Sequence, residues 1–599
     1  MRSLVDRLRS WLSSPRAPTA IVLLAVLVGL PSLAGGLAVD DHWHKIMLTP
    51  DPAWSRLTKP WYELFSFYDG NVERTHRILD LGLSPWWTDP EIRLAFFRPV
   101  TAVTHVLDYA LWPSHPWMMH AHSLVWLAAL VAVATWAYRR LLPGWAGGLA
   151  ALLFALDHNH GIPIAWIANR NSLVAGVFAI AALGTYDVAV RAKRAAPLWT
   201  LGSALLLALA LGSGESAVAT LGYLVAYAVV LDTRALRARL VSLAPHASVT
   251  AVWTLLYRVG GFGAHGSGIY IEPARDPLAF GSAVAKHLPM LLASELGAPT
   301  PDLYAFVPLV AKVAFVTGAL LFLAWSASAI VRVWRVDPVA RFLVLGSVLA
   351  TLPGCATFPS SRLLVVPGFG LLGLVALVAA NVADEAAWVP RSGVSRRLVR
   401  SFAIWACGGH LVLSPVALQV TMQQLPMLNR VIARLGADLP TAPSPTVKRI
   451  LLLNVPDAVF APYFFLGRSS EVSTAAPRLP APILTMATGA RDLDLRRTDE
   501  HTVVMRVESG FYRVATELVT RTEAVPMHVG DTLALTDVTV EVLAVAPDGV
   551  PTEASFRFAE SVDAEAYLWE RWSGEKLVAV RPPAIGAHVA IPGQFAVLF

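Results

Sequence analysis

Residues 18–44 read PTAIVLLAVLVGLPSLAGGLAVDDHWH. The apolar part is long enough to cross a bilayer core, which takes roughly 20 residues, and it breaks off at two adjacent aspartates. Arg2, Arg7, Arg9 and Arg16 precede it. A basic start, an apolar centre and a small-residue end also suit a cleavable signal peptide, but the length of the run and the apolar stretches behind it predict a retained anchor. Those stretches lie near 117–138, 144–157, 172–190, 197–213, 216–231, 243–258, 305–331, 342–358, 363–383 and 401–420. The third is short enough to tilt or stop inside the membrane. The pattern predicts a polytopic α-helical membrane protein with about eleven transmembrane helices. Composition agrees, since 55% hydrophobic residues, 15% charged residues and a mean hydropathy of +0.54 exclude a soluble multidomain chain.

A net charge of +6 and a pI near 9.3 would suit a nucleic-acid binder, yet the basic residues fall in short clusters between apolar runs. Arg139-Arg140, Arg191/Lys193/Arg194, Arg234/Arg237/Arg239, Arg332/Arg335/Arg341 and Arg391/Arg396/Arg397/Arg400 all fall on one side when the N-terminus is placed in the cytoplasm. This is the positive-inside pattern, and no nucleic-acid partner is expected. The opposite side receives the loop 39–116, the turns at 158–171, 214–215 and 359–362, the loop 259–304 and everything after 420. Trp43, Trp54, Trp61, Trp86, Trp87, Trp112 and Trp117 crowd the first of these loops, which predicts helices lying along the headgroup region. Cys355 and Cys407 sit inside apolar segments and read as packing residues.

The chain divides into a membrane domain over 1–420, a short amphipathic helix and Pro-rich linker over 421–446, with Pro440, Pro443 and Pro445, and a domain over 447–599. The last holds short β-rich runs at 449–455, 502–507, 532–545 and 554–558, the final one after a Pro547-Asp548-Gly549 turn. A β-sandwich-like extracytoplasmic domain is expected there. It carries no nucleophile motif, no metal-ligand spacing and no glycine-rich phosphate loop, so acceptor binding or packing on the membrane domain is its expected role.

Asp40 and Asp41 begin the first loop where the chain leaves the membrane. A carboxylate at the edge of a low-dielectric region has a raised pKa and becomes a usable base; the competing reading is a solvated helix end. Neighbouring residues rarely point the same way, so one aspartate would act on substrate and the other would orient, with a slight preference for Asp41 as the base. Arg98, in Phe97-Arg98-Pro99-Val100-Thr101 ahead of Asp108-Tyr109, and Arg170, in Trp166-Ile167-Ala168-Asn169-Arg170-Asn171, have the planar guanidinium that suits a phosphate. Taken singly, each is more plainly a snorkelling interface residue. The runs Asp41-His42-Trp43-His44 and Asp157-His158-Asn159-His160 hold residue types that bind divalent cations. Asp41, His44, Asp157 and His160 are therefore weak metal candidates, with a divalent ion the one cofactor to consider, although the spacing matches no specific metal motif. Glu215 stands at the outer end of a helical hairpin, as a functional acid or a helix cap. The loop 259–304 carries Gly260-Gly261-Phe262-Gly263, which does not follow a strand or open a helix as a nucleotide loop would, then His265, Tyr270 and Glu272. Arg362 adds a cation at the same face.

Together these residues resemble the polytopic glycosyltransferases of the GT-C superfamily, and within it bacterial relatives of the transmembrane and TPR-repeat O-mannosyltransferases. The similarity covers about residues 18–385 and rests on Asp40-Asp41, the Phe97 to Thr101 run with Asp108-Tyr109, the string from Leu153 to Asn171, Ser213-Gly214-Glu215 and Arg362. Gly214 stands where the family usually has lysine, His158 where proline is common, and no TPR repeats follow. The resemblance implies a GT-C-like fold and inverting transfer of a sugar from a polyprenyl-phosphate donor to an acceptor hydroxyl on a glycan, lipid or protein. Asp41 or Asp40 would be catalytic, Arg98, Arg170 and Arg362 would hold the donor phosphate, and His158, His160, Asn169, Glu215, His265 and Glu272 would contact substrate. The bilayer of a bacterial inner membrane is the implied location, with the N-terminus cytoplasmic and the C-terminal domain periplasmic. Two other readings stay open: a transporter or flippase of a lipid-linked or anionic solute, and a non-catalytic glycan-binding protein on the same fold.

Overall fold

The computed structural model describes residues 2–192, 196–442, 444–470 and 475–594. Lys193 and Arg194 of the second basic cluster, and Pro443 of the linker, lie outside the described residues. Among the described residues seven helices are long and apolar enough to cross a membrane: Ala17–Ala34, Pro116–Leu141, Ile167–Arg191, Leu236–Val259, Leu309–Val336, Pro338–Ala356 and Gly393–Leu435. Four shorter apolar helices, Ala146–Ala155, Ala196–Leu211, Glu215–Val230 and Pro367–Ala383, accompany them. Each expected span falls on one of these helices, so the molecule is a polytopic helical membrane protein with a β-rich C-terminal region.

Helix position follows side-chain size. In the most apolar 18-residue stretch of Ile167–Arg191, 78% of the residues are buried inside the bundle, whereas in that of Leu236–Val259 11% are, and its leucines and valines turn outward. Small residues allow close approach in the interior. A Cβ on Gly370 would lie 2.2 Å from the Ser347 hydroxyl, and one on Gly346 would lie 2.4 Å from the Tyr223 ring. One boundary differs from expectation. The last span does not stop near 420, because Gly393–Gly408 continues through a π turn at Gly409–Leu413 into Ser414–Leu435. A π turn takes in an extra residue without breaking the helix, so the amphipathic segment expected from 421 is the far end of that helix.

The first loop is folded. It contains the helices Asp40–Leu48, Val72–Leu81 and Pro99–Leu111. Strands β1 (Ser66–Asp69) and β2 (Arg93–Ala95) pair antiparallel, and β3 (Gly263–His265), from the 259–304 loop, adds to β2. The helix Val72–Leu81 starts where the Asn71 side chain accepts the Arg74 N–H. It ends at Gly82, whose φ of 74° and 2.0 Å approach of a would-be Cβ to the Ile483 carbonyl both require glycine.

The C-terminal region has two sheets. Its strands are β4 (Arg449–Leu452), β5 (Ile483–Thr485), β6 (Leu493–Arg497), β7 (Thr502–Arg506), β8 (Thr532–Ala534), β9 (Val538–Val545), β10 (Pro551–Phe558), β11 (Tyr567–Trp572), β12 (Leu577–Ala579) and β13 (His588–Ile591). Six form an antiparallel sheet in the order β13-β6-β7-β10-β9-β8, and four form a second in the order β12-β11-β4-β5. In the second sheet β4 runs parallel to both neighbours, and the helix Tyr463–Ser470 lies in the connection from β4 to β5, as parallel pairing requires a crossover. The region therefore departs from an all-antiparallel sandwich. Both sheets share one apolar core, which also takes in Trp86 and Trp87 of the first loop.

Polar contacts tie the two together. Buried Arg449 donates to Asp537 at 2.7 Å and to the carboxylate and carbonyl of Asp80 at 3.1 and 2.9 Å, while Asp80 also accepts from Thr536. Trp86 donates its indole N–H to the Met486 carbonyl at 3.0 Å, and Arg521 donates to the Trp87 carbonyl at 2.5 Å. A second fastening holds the start of the loop. Fully buried Asp41 accepts the Ala38 and Ala168 backbone N–H groups at 2.9 and 2.7 Å, and its carbonyl accepts the Tyr109 hydroxyl at 2.7 Å.

Arg449→Ala leaves buried Asp537 without its cation and Asp80 with only the more exposed Arg77 at 3.2 Å, which should cost about 3–5 kcal/mol and lower the unfolding temperature in detergent. Asp41→Ala leaves two buried N–H groups without acceptors, at about 1–3 kcal/mol each; its melting temperature should fall well below that of Asp40→Ala, and equal melting of the two would contradict the fastening role.

Candidate active site

Between the ends of the membrane helices that adjoin the first loop and the folded loop itself lies a cavity of about 370 Å³. Asp40 enters it from the helix Asp40–Leu48, and Arg98 from the residue before Pro99–Leu111. The second placement is built locally, as the Val100 N–H donates to the Gly212 carbonyl at 2.9 Å and the Thr101 hydroxyl to the Ser213 carbonyl at 2.8 Å. These bonds carry Glu215 to Arg98, whose Nε donates to the Glu215 carboxylate at 2.8 Å. The 259–304 loop closes another wall through Tyr270 and Glu272, held by the Ile271 N–H on the Ala356 carbonyl at 2.8 Å.

Two guanidinium groups face this space. Arg98 lies over the rings of Phe65 and Phe96, at 5.0 and 4.7 Å from their centroids. Arg362 lies over Trp166 and Phe358 at 5.7 and 5.4 Å. Arg362 makes no hydrogen bond or ion pair among the described residues, so its donors remain for a ligand. A cation over aromatic faces is held without an anion, which keeps its charge uncompensated.

Burial pushes the Asp40 carboxyl up from 3.8 to about 6, with the positive charges of Arg362 and Arg98 pulling it back. Burial pushes Asp41 further, to about 8, against the two N–H bonds that favour its charged form. At neutral pH Asp40 is thus mostly ionised and Asp41 mostly protonated.

Of the residues singled out in the sequence, Asp40, Arg98, Asn169, Glu215, Glu272 and Arg362 line one cavity. Others do not reach it. Asp41 is turned inward and mostly protonated, which corrects its preference as the base. Arg170 is fully buried, paired with Asp108 at 2.5 Å and bonded to Ser123 and the Met119 carbonyl, so it is no phosphate clamp. His158 is bound to Ser414 and Asp157, and His160 packs edge-on against Phe154, both within the helical interior rather than on the cavity. His265 is exposed on β3, where Arg275 bonds it at 3.0 Å.

The metal candidates do not converge. Asp41 is engaged as described, His44 packs against Phe65 and His105, Asp157 accepts from Asn159 at 2.8 Å, and His160 faces Phe154. Among the described residues no group of three or more His, Cys, Asp or Glu side chains is arranged to hold a metal ion. Sequence reasoning missed the aromatic lining, Phe65, Phe67, Phe96, Trp166 and Tyr257. Its one visible signal was Phe96-Phe97 directly before Arg98.

No family model and no curated protein sequence matches the chain. Among solved structures, the chain is similar to the apo oligosaccharyltransferase of Archaeoglobus fulgidus, at 11% identity and a TM-score of 0.44 over 80% of this chain and 66% of that one. The AglB oligosaccharyltransferase of the same organism, in complex with an inhibitory peptide and a dolichol-phosphate, matches at 11% identity and a TM-score of 0.40 over 78% and 64%. ArnT from Cupriavidus metallidurans bound to undecaprenyl phosphate matches at 16% identity and a TM-score of 0.35 over 74% and 84%. The chain thus spans just under two thirds of the length of the archaeal proteins.

Proposed function

We propose that this protein is a GT-C-type glycosyltransferase that moves a sugar, with inversion, from a polyprenyl-phosphate donor to an acceptor hydroxyl at the outer face of a bacterial cytoplasmic membrane. The observation that carries the reading is the pairing, in one cavity at the membrane edge, of an ionised Asp40 with the uncompensated guanidinium of Arg362. A lipid-linked phosphate has its tail in the bilayer and its charge at that edge, where a desolvated cation attracts it strongly. The motif resemblance over residues 18–385 supports the same chemistry.

In this reading Arg362 and Arg98 bind the donor phosphate, and Asn169, Glu215 and Glu272 contact the sugar or orient the arginines. Asp40 takes the proton of the acceptor hydroxyl as that oxygen bonds to the anomeric carbon. The bond from that carbon to the phosphate oxygen breaks, its electron pair leaving with the polyprenyl phosphate. Placement of the N-terminus in the cytoplasm and of the β region outside rests on the arginine clusters.

Purified protein offered a panel of polyprenyl-phosphate sugars and membrane acceptors should turn over, and Asp40→Asn should lower kcat by about 10²–10⁴-fold, the usual worth of a general base. Absence of turnover with every donor, beside saturable solute movement in vesicles that survives Asp40→Asn, would sink the proposal. The pH profile supplies a second check. The base must be ionised, and its ionised fraction falls tenfold per pH unit below its pKa, so kcat/KM should be level above about pH 6 and drop tenfold per unit below it.

A further inference from the structure

Asp40 lines a second cavity as well. This one, of about 190 Å³, lies between the first loop and the C-terminal β region, with no membrane helix among its described lining residues. The two cavities share Asp40, Phe67, Phe96 and Tyr270, so the carboxylate stands at their junction. Their chemistry differs. The larger has Arg98 and Arg362; the smaller has no lysine, arginine or histidine among its described lining residues, and Asp40 is its one acid. Arg74, which lies over the outer ring of Trp43, is committed to the carbonyls of Leu57, Ser66 and Phe67.

The walls of the smaller cavity combine aromatic rings and hydroxyls with aliphatic side chains such as Ile78, Leu94 and Val459. Trp43, Tyr68 and Tyr463 line it, with Ser84 and Thr520. Ser84 accepts the Tyr68 hydroxyl at 2.9 Å. The Trp43 indole nitrogen and the Thr520 hydroxyl are buried with no hydrogen-bond partner, Trp43 being 8% exposed and Thr520 4%. Buried polar groups in native proteins are nearly always paired, so these two unpartnered groups, on lining residues from different segments, point to a ligand that supplies their partners.

We infer that this second cavity is the acceptor subsite and that it holds an uncharged sugar unit of a glycan, whose reacting hydroxyl meets Asp40 from the side opposite the donor. The inference rests on the reading of Asp40 as the base. A sugar ring places its C–H face on an aromatic face and its hydroxyls toward Trp43, Ser84 and Thr520. An anionic acceptor would find no cation. The β region, which carries no catalytic motif, thereby contributes to substrate choice: Tyr463 and Thr520 belong to it, and the Arg449 and Arg521 contacts hold it in place.

The test is saturation-transfer NMR on the full chain in detergent, with methyl glycosides of neutral hexoses and N-acetylhexosamines, their uronic-acid and phosphate counterparts, and serine- and threonine-containing peptides. Undecaprenyl phosphate binding is measured in parallel. At least one neutral glycoside should bind saturably. Ser84→Leu, which fills the cavity, should weaken it tenfold or more, and Thr520→Val severalfold, both with undecaprenyl phosphate binding intact as proof of folding. The inference is overturned if no neutral glycoside binds, if binding ignores Ser84→Leu, or if only a charged sugar or a peptide shows the Ser84 dependence. Undecaprenyl phosphate that binds wild type and Arg362→Ala equally would instead overturn the donor reading, whatever the glycosides do.

Discussion

The carboxylate of Asp41 accepts the backbone N–H groups of Ala38 and Ala168, joining the segment that leaves the first membrane helix to the first turn of the buried helix Ile167–Arg191. Tyr109 adds the helix after Arg98 to the same residue. Three separate segments meet there without water, so each N–H needs a protein acceptor. Asp40, next in the chain, is consequently set at the cavity wall. The pair divides the work by environment: the inward aspartate is held protonated and structural, and the outward one is kept ionised by the arginines across the space.

Charge is distributed unequally around Asp40. Both arginines line the larger cavity and are backed by aromatic rings; Arg98 is paired with Glu215, while Arg362 has no carboxylate partner among the described residues. Aromatic, aliphatic and hydroxyl groups line the smaller one. A carboxylate between a cationic and a neutral compartment has directional chemistry, because a phosphate settles on one side and only an uncharged hydroxyl carrier on the other. Preorganised cations of this kind act on charge as it develops, with little reorganisation at the moment of reaction.

The β region completes the second compartment because it is fastened to the first loop as well as to the far end of the Ser414–Leu435 helix, whose Leu428, Ile432 and Leu435 enter the same core. Arg449 spans from β4 to Asp80 and Asp537, and the Trp86 and Trp87 rings enter the shared core. A linker alone would leave Tyr463 and Thr520 free to drift from Asp40. Buried ion pairs contribute more to register than to net stability in some systems, and Arg449 is placed to set register here.

Apolar run length and arginine clustering made the helical architecture legible, because both obey constraints imposed by the bilayer itself. The strands at 449–452, 502–506 and 538–545 were legible for a similar reason, their alternation or apolar density being local. The parallel pairing of β4 was not, since it depends on a crossover between runs far apart in the chain. Among site residues, composition and position were enough to single out Asp40, Arg98, Asn169, Glu215, Glu272 and Arg362, but equally Asp41, Arg170, His158, His160 and His265. Sequence by itself determined which ionisable groups lie in the loops and turns at the ends of the apolar helices. Only the tertiary structure decided which of them face a cavity and which are spent on one another, because that depends on partners such as Ala168, Asp108 and Ser414 that long-range packing brings in, and no local pattern encodes them.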